Sequence, residues 1–113
     1  MNNPFRPSRP NRKYVTRAEF LDAPSEARLA RSWRDEGDVA ARNRLVTSHQ
    51  ALAIAATSRA GRKGRELDTD ILQHANIGLL KAADRFDPDK GFRFSTYAAW
   101  WIRAEIKDYK IQD

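Results

Sequence analysis

Apolar side chains recur three and four positions apart along most of this chain, and no alternating run of useful length occurs, so helices are the regular elements able to bury them. Leu45, Val46, His49, Leu52, Ala53 and Ala56 keep that spacing and predict one helix from about residue 39 to 59, with Asp38 as its cap. Ile71, Leu72, Ala75, Leu79, Ala82 and Ala83 predict another, from an Asp68 cap to about residue 86. Ahead of both, Pro24 and Ser25 open a helical pattern carrying Ala27, Leu29, Ala30 and Trp33, which Gly37 stops. Ser95 is placed to cap a last helix from about residue 96 onward. Between helices, residues 60 to 66 hold two glycines with Arg62, Lys63 and Arg65, and read as an exposed basic loop. Residues 87 to 91 read as a turn, Pro88 fixing φ and Gly91 permitting positive φ. The expected fold is all-α, a compact helical domain of about four to five helices.

A length of 113 residues suits one domain with a modest core. The net charge of +6, from 21 Lys and Arg against 15 Asp and Glu, favours a polyanionic partner, either nucleic acid or an anionic membrane surface. Without cysteine there are no disulfides and no thiolate zinc sites, which is compatible with a reducing cytoplasm. No apolar stretch has the length of a signal peptide core or a membrane span, so a cytoplasmic protein is expected. Pro4, Pro7 and Pro10 lie among five cations before residue 18, with no acid before Glu19. Such a composition cannot bury enough apolar surface to offset chain entropy, so residues 1–19 are expected to be a flexible, disordered basic arm ahead of a helical domain over 20–113.

The last predicted helix has two apolar faces. At about 100° per residue, Ala98, Ile102, Ile106 and Tyr109 share an arc of roughly 80°, an ordinary core-facing stripe. Tyr97, Trp100, Trp101 and Ala104 fall in a second arc of roughly 100°, centred about 150° from the first. Either a second layer buries these aromatics or some of them meet a partner. Phe92 and Phe94 flank Arg93 just ahead of the helix, and Arg103, Lys107 and Lys110 follow the rings. Aromatic faces beside a cationic track are how proteins hold unstacked bases, each stack contributing about 1–3 kcal/mol. The combination suggests capture of bases leaving a duplex.

Catalysis finds little support. His49 and His74 are the only histidines and form no H-E-x-x-H spacing, and Gly61-Arg62-Lys63-Gly64 lacks the P-loop arrangement and a preceding strand.

The run NIGLLK over 76–81, the following AADRFD over 82–87 and GFRFSTYAAWWIRAE over 91–105 closely resemble the second region of the sigma-70 family. Gly37 to Arg42, Leu45-Val46 and Ser48-His49 resemble the same family, residues 20–37 its region 1.2, and Ala104-Glu105-Ile106 with Tyr109 leans toward heat-shock-type members. The resemblance covers about residues 20 to 113. It implies a domain, over 38–113, that binds the −10 promoter element and opens it. By position, the residue matching Tyr97 stacks on a flipped adenine of the non-template strand, and those matching Trp100 and Trp101 wedge at the upstream edge of the bubble. Phe92, Arg93, Phe94 and Thr96 match the rest of that surface, and Arg103, Ala104 and Lys107 match positions facing upstream duplex. Arg can read guanine bidentately and Lys can hold phosphate.

The same resemblance makes residues 70–80 the helix that docks on the coiled coil of the largest subunit of core RNA polymerase, with Asp70, Gln73, His74, Asn76 and Leu80 at contact positions. His74 stands where the family usually carries Glu, so an acidic contact is replaced by a mostly neutral ring. The basic segment at 62–66 is about two residues longer than is usual in the family. No regions 3 and 4 follow, so a piece of a longer protein is expected. The partners implied are core polymerase, the non-template strand of the −10 element and, as a regulator, an anti-sigma protein; no cofactor, metal or enzyme activity is implied. The rival readings are a helical interaction module whose Trp pair binds a protein or an anionic membrane, and a conventional duplex DNA binder.

Overall fold

The computed structural model describes residues 20–111, and the basic arm expected over 1–19 lies outside them. Helix α1 spans Ala23–Glu36, α2 Val39–Thr47, α3 Gln50–Ala60, α4 Thr69–Arg85 and α5 Phe94–Ile111, with a 3₁₀ turn at Pro88–Lys90. Asp22 caps α1 by accepting from the Ser25 N–H at 2.8 Å. Gly37, at φ 67°, stops it with paired bonds from Gly37 and Asp38 to the carbonyls of Trp33 and Ser32. Asp38 and Asp68 cap α2 and α4 as their positions predict.

The helix expected over 39–59 is two helices, broken at Ser48 and His49. In an unbroken helix the His49 backbone N–H would donate to the Leu45 carbonyl. Instead the imidazole Nδ1 takes that carbonyl at 2.8 Å, and the backbone N–H falls back on Val46 at 3.0 Å. A side chain competing for its own helix acceptor is the cause of the break.

The basic loop is a small hairpin: β1 (Arg62–Lys63) pairs antiparallel with β2 (Glu66–Leu67), in the register Arg62 to Leu67 and Lys63 to Glu66. Gly64 supplies the positive φ of 66° that its two-residue turn needs. The Arg62 guanidinium braces the turn from within, donating to the Arg65 carbonyl and the Ser58 hydroxyl at 2.9 Å each.

Helices α4 and α5 make the largest helix contact. They cross at Gly78, where a Cβ would stand 2.8 Å from the Ile102 Cα and the Trp101 carbonyl oxygen. Ala75, Leu79 and Ala82 of α4 and Ala98 and Ile102 of α5 fill the seam, with Leu45 and Ala53 closing it from α2 and α3. Small side chains allow these backbones to approach closely, and of the second face of α5 Trp100 is left exposed while Tyr97, Trp101 and Ala104 are half-buried.

Helix α5 starts two residues before the expected point, so Ser95 lies inside its first turn and does not cap it. The acceptor for its first N–H comes from α1: Glu26 Oε2, 2.8 Å from the Phe94 nitrogen.

Candidate nucleic-acid interface

Along α5 and the segment before it, the aromatic side chains form a continuous ladder. Phe92 stacks on Tyr97 (centroids 5.8 Å, planes 29° apart), Tyr97 meets the edge of Trp101 at 6.3 Å, and Trp101 meets Trp100 at 5.4 Å and 86°. The two ends of the ladder face solvent, Phe92 with 43% and Trp100 with 56% of its surface exposed, while Tyr97 and Trp101 are half-buried. Exposure of a Trp to that extent is costly in water, at about 25 cal/mol per Å² of apolar surface left uncovered. The Arg85 guanidinium sits 5.0 Å over the Trp101 ring, adding a cation to the edge of the ladder. The Tyr97 hydroxyl points at the Arg85 carbonyl, 3.5 Å away, which ties the ring to the end of α4.

Not every predicted residue reaches this surface. Phe94 is wholly buried, packed edge-on against Phe86 at 5.3 Å and His49 at 4.8 Å, and so has no face to offer a base. The period-two spacing of Phe92 and Phe94 suggested one surface, but the helix begins between them and turns the second ring inward. Arg93 is held by Glu26 and by the Leu21 carbonyl at 2.7 Å, so its charge is matched inside the domain. Thr96 is exposed beside the ladder.

Beyond Trp100 an open groove of about 740 Å³ runs between α3 and the second half of α5. Its floor is apolar, with Ala56, Ala60, Ala104, Ile106 and Ile111, and its rim carries Arg59, Arg103, Lys107 and Lys110. Lys110 closes one end by donating to the Ala60 carbonyl at 2.8 Å, where the end of α3 favours a cation. Among the described residues Arg59, Arg103 and Lys107 have no ion-pair partner. The positions of Arg103 and Lys107 were legible from the sequence; Arg59 and Arg85 were missed, because only the packing of α3 and α4 on α5 brings them to the same edge.

The polar set on α4 divides. Asp70, Gln73 and Leu80 are exposed, and with Ile77 and Asp84 they share an arc of roughly 80°. Ile77 and Leu80 each leave 40% of their surface uncovered; Ile77 was missed, although its spacing sets it with Asp70 and Gln73, about 180° from the core stripe. His74 turns toward α5 and stacks on Tyr109 at 4.4 Å, while Asn76 accepts from the Gln50 amide at 3.2 Å. Lys81 forms an ion pair with Glu105 and fastens the two helices.

The turn before the ladder is tethered to α1. Arg31 and Arg34 bind Asp89, and Arg34 also binds Asp87 at 3.0 Å and Asp35 at 2.7 Å. Hydrogen bonds from Arg31 first and Arg34 second hold the Asp89 carboxyl below its ordinary pKa, and Arg34 does the same to Asp35. Among the described residues no group of acids, histidines or cysteines could hold a metal, and no helix is long and apolar enough to cross a membrane.

The family model for Sigma-70 region 2 matches residues 45–111, a span that takes in the groove, the α4 face and the whole ladder. The chain is 38% identical over 99 residues to the RNA polymerase sigma factor RpoH of Caulobacter vibrioides, which covers 87% of this chain and 33% of that protein. It is 36% identical over the same length to RpoH of Rhizobium radiobacter, covering 87% of this chain and 32% of the relative. Against the RNA polymerase sigma-C factor of Myxococcus xanthus it is 39% identical over 94 residues, 83% of this chain and 31% of the relative. The chain thus spans about a third of the length of the curated relatives it matches, and the lean toward heat-shock-type members agrees with the RpoH relatives. A helical domain that leaves an aromatic ladder uncovered on α5, with this match running through it, belongs to the sigma-70 family and carries its region 2.

Proposed function

We propose that this domain serves transcription initiation by docking on core RNA polymerase through α4 and by recognising and melting the promoter −10 element through α5. The observation that carries the reading is the ladder itself: flat rings exposed at both ends, a cation over one ring, and a basic groove continuing from Trp100. Bases that have left a duplex offer faces to such rings and phosphates to such cations, whereas a closed duplex offers the phosphates alone. Tyr97 is the base-capturing ring, Trp100 and Trp101 form the wedge, and Arg103 and Lys107 hold the backbone of the duplex upstream. Phe94 supports the ladder from below. The exposed α4 stripe of Asp70, Gln73, Ile77 and Leu80 repeats at three- and four-residue intervals, the spacing with which one helix lies along a coiled coil.

Tyr97→Ala in the full-length factor tests this. The closed promoter complex is expected to form normally while opening falls by the loss of one stacked base, about 1–3 kcal/mol. Permanganate reactivity of the −10 thymines would follow it, and normal opening would remove Tyr97 from the mechanism. Binding of the factor to anionic vesicles with no preference for promoter strand over scrambled strand would favour a membrane partner instead.

A further inference from the structure

Helix α5 has no cap of its own. Ser95 is inside the first turn, and Arg93, at the capping position, carries only donors. The Phe94 N–H is buried and would be left without an acceptor, but Glu26 Oε2 takes it at 2.8 Å. The same carboxylate accepts from Arg93 Nε at 3.2 Å and from Arg93 Nη2 at 3.1 Å, and the His49 Nε2 lies 3.8 Å away. Glu26 is only 3% exposed, so this charge stays out of water on the strength of Arg93 and the positive end of α5.

We infer that Glu26 is a positioning residue for the base-capturing surface: by capping α5 and clamping Arg93, it sets how Phe92 meets Tyr97. This rests on the proposed role of α5 in melting. Residue 93 is the link between a fixed ring and a presented one. On its C-terminal side Phe94 is locked between Phe86 and His49. On its N-terminal side Phe92 stacks on Tyr97, and the chain beyond passes through Gly91 at φ 93°, a backbone position with few constraints of its own. The clamp on Arg93 and the buried Phe86 ring, 6.0 Å from that of Phe92, are therefore the two points that hold Phe92. Helix α1 thus acts on the ladder's first member through Arg93, which lies 67 residues from Glu26 in sequence.

The test uses the full-length factor with core polymerase, and measures affinity for polymerase and the rate of promoter opening separately. Glu26→Ala removes both cap and clamp, and opening is expected to fall about five- to a hundredfold, the range for stranding a buried donor, with polymerase affinity held within about twofold. Glu26→Gln keeps an acceptor for Phe94 but not the charge for Arg93, and is expected to recover part of the loss. A parallel fall in affinity and opening would show that Glu26 only supports the fold, and overturns the inference; so does normal opening. If Glu26→Ala does not fold, Glu26→Gln decides by the same comparison. Tyr97→Ala, run beside them, separates the two claims: normal opening in that variant sinks the role of α5, whereas a Tyr97 defect with normal Glu26 variants sinks the positioning role alone.

Discussion

At the scale of single residues, the tightest constraint on a glycine is at the crossing of α4 and α5. Gly78 lies within α4 without a positive φ, and in an exposed helix its replacement by Ala would stabilise by about 1 kcal/mol. Here the new methyl would stand 2.8 Å from two backbone atoms of α5, which cannot rotate away as a side chain would. Overpacking of this kind costs about 1–3 kcal/mol, so Gly78→Ala is expected to lower stability despite its better helix propensity. A shift of 1 kcal/mol corresponds to about 4–8 °C in a domain of this size. Thermal unfolding followed by circular dichroism would read it, and an unchanged or raised midpoint would mean that α4 and α5 can separate freely. Because Trp101 and Ile102 supply the obstructing atoms, the same substitution would also displace the wedge.

Elements show which parts of the fold a sequence reveals. Caps made by neighbours in the chain were legible: Asp38 and Asp68 bond amides two or three residues on, and that chemistry is complete within one turn. Three features were not, and each depends on a group that periodicity cannot locate. The break between α2 and α3 comes from a ring nitrogen taking a carbonyl, at a histidine whose spacing fits an unbroken helix. The start of α5 is set by Glu26, which local reading replaced with the nearby Ser95. The hairpin contains strands of two residues, too short to show any period. For the interface, the ladder was legible because two apolar stripes on one helix exceed what a small core can cover, yet Phe94 was misplaced because the helix start was. The α4 stripe gives a prediction of its own. Ile77 and Leu80 are partly exposed, so Ala at either position is expected to change stability by no more than about 0.5 kcal/mol. If they fill a groove of the polymerase coiled coil, each substitution weakens binding by more than about 1 kcal/mol, measurable by competition for core enzyme. Retained affinity in the Ile77, Leu80 double variant would place the polymerase contact elsewhere.

For the whole molecule, the distribution of charge matters more than its sum. On the α1 side, Asp35, Asp87 and Asp89 are matched by Arg31 and Arg34, and Arg93 by Glu26, so those cations are occupied within the domain. Where α3 and α5 border the groove, Arg59, Arg103 and Lys107 have no ion-pair partner among the described residues, next to the basic hairpin that α3 leads into. A phosphate backbone would meet these cations along the groove, and the duplex is expected to run there while the separated strand passes over the rings. Each phosphate neutralised on duplex DNA contributes about 0.9 to the slope of log affinity against log salt. Arg59→Ala and Lys107→Ala in the full-length factor, bound to polymerase, are each expected to reduce that slope by about one while leaving sequence preference intact. Arg93→Ala is expected to leave the slope unchanged and to impair opening, because its charge is already matched by Glu26. An Arg93 variant that lowers the salt slope as Arg59 does would show that the guanidinium leaves Glu26 for a phosphate when DNA binds.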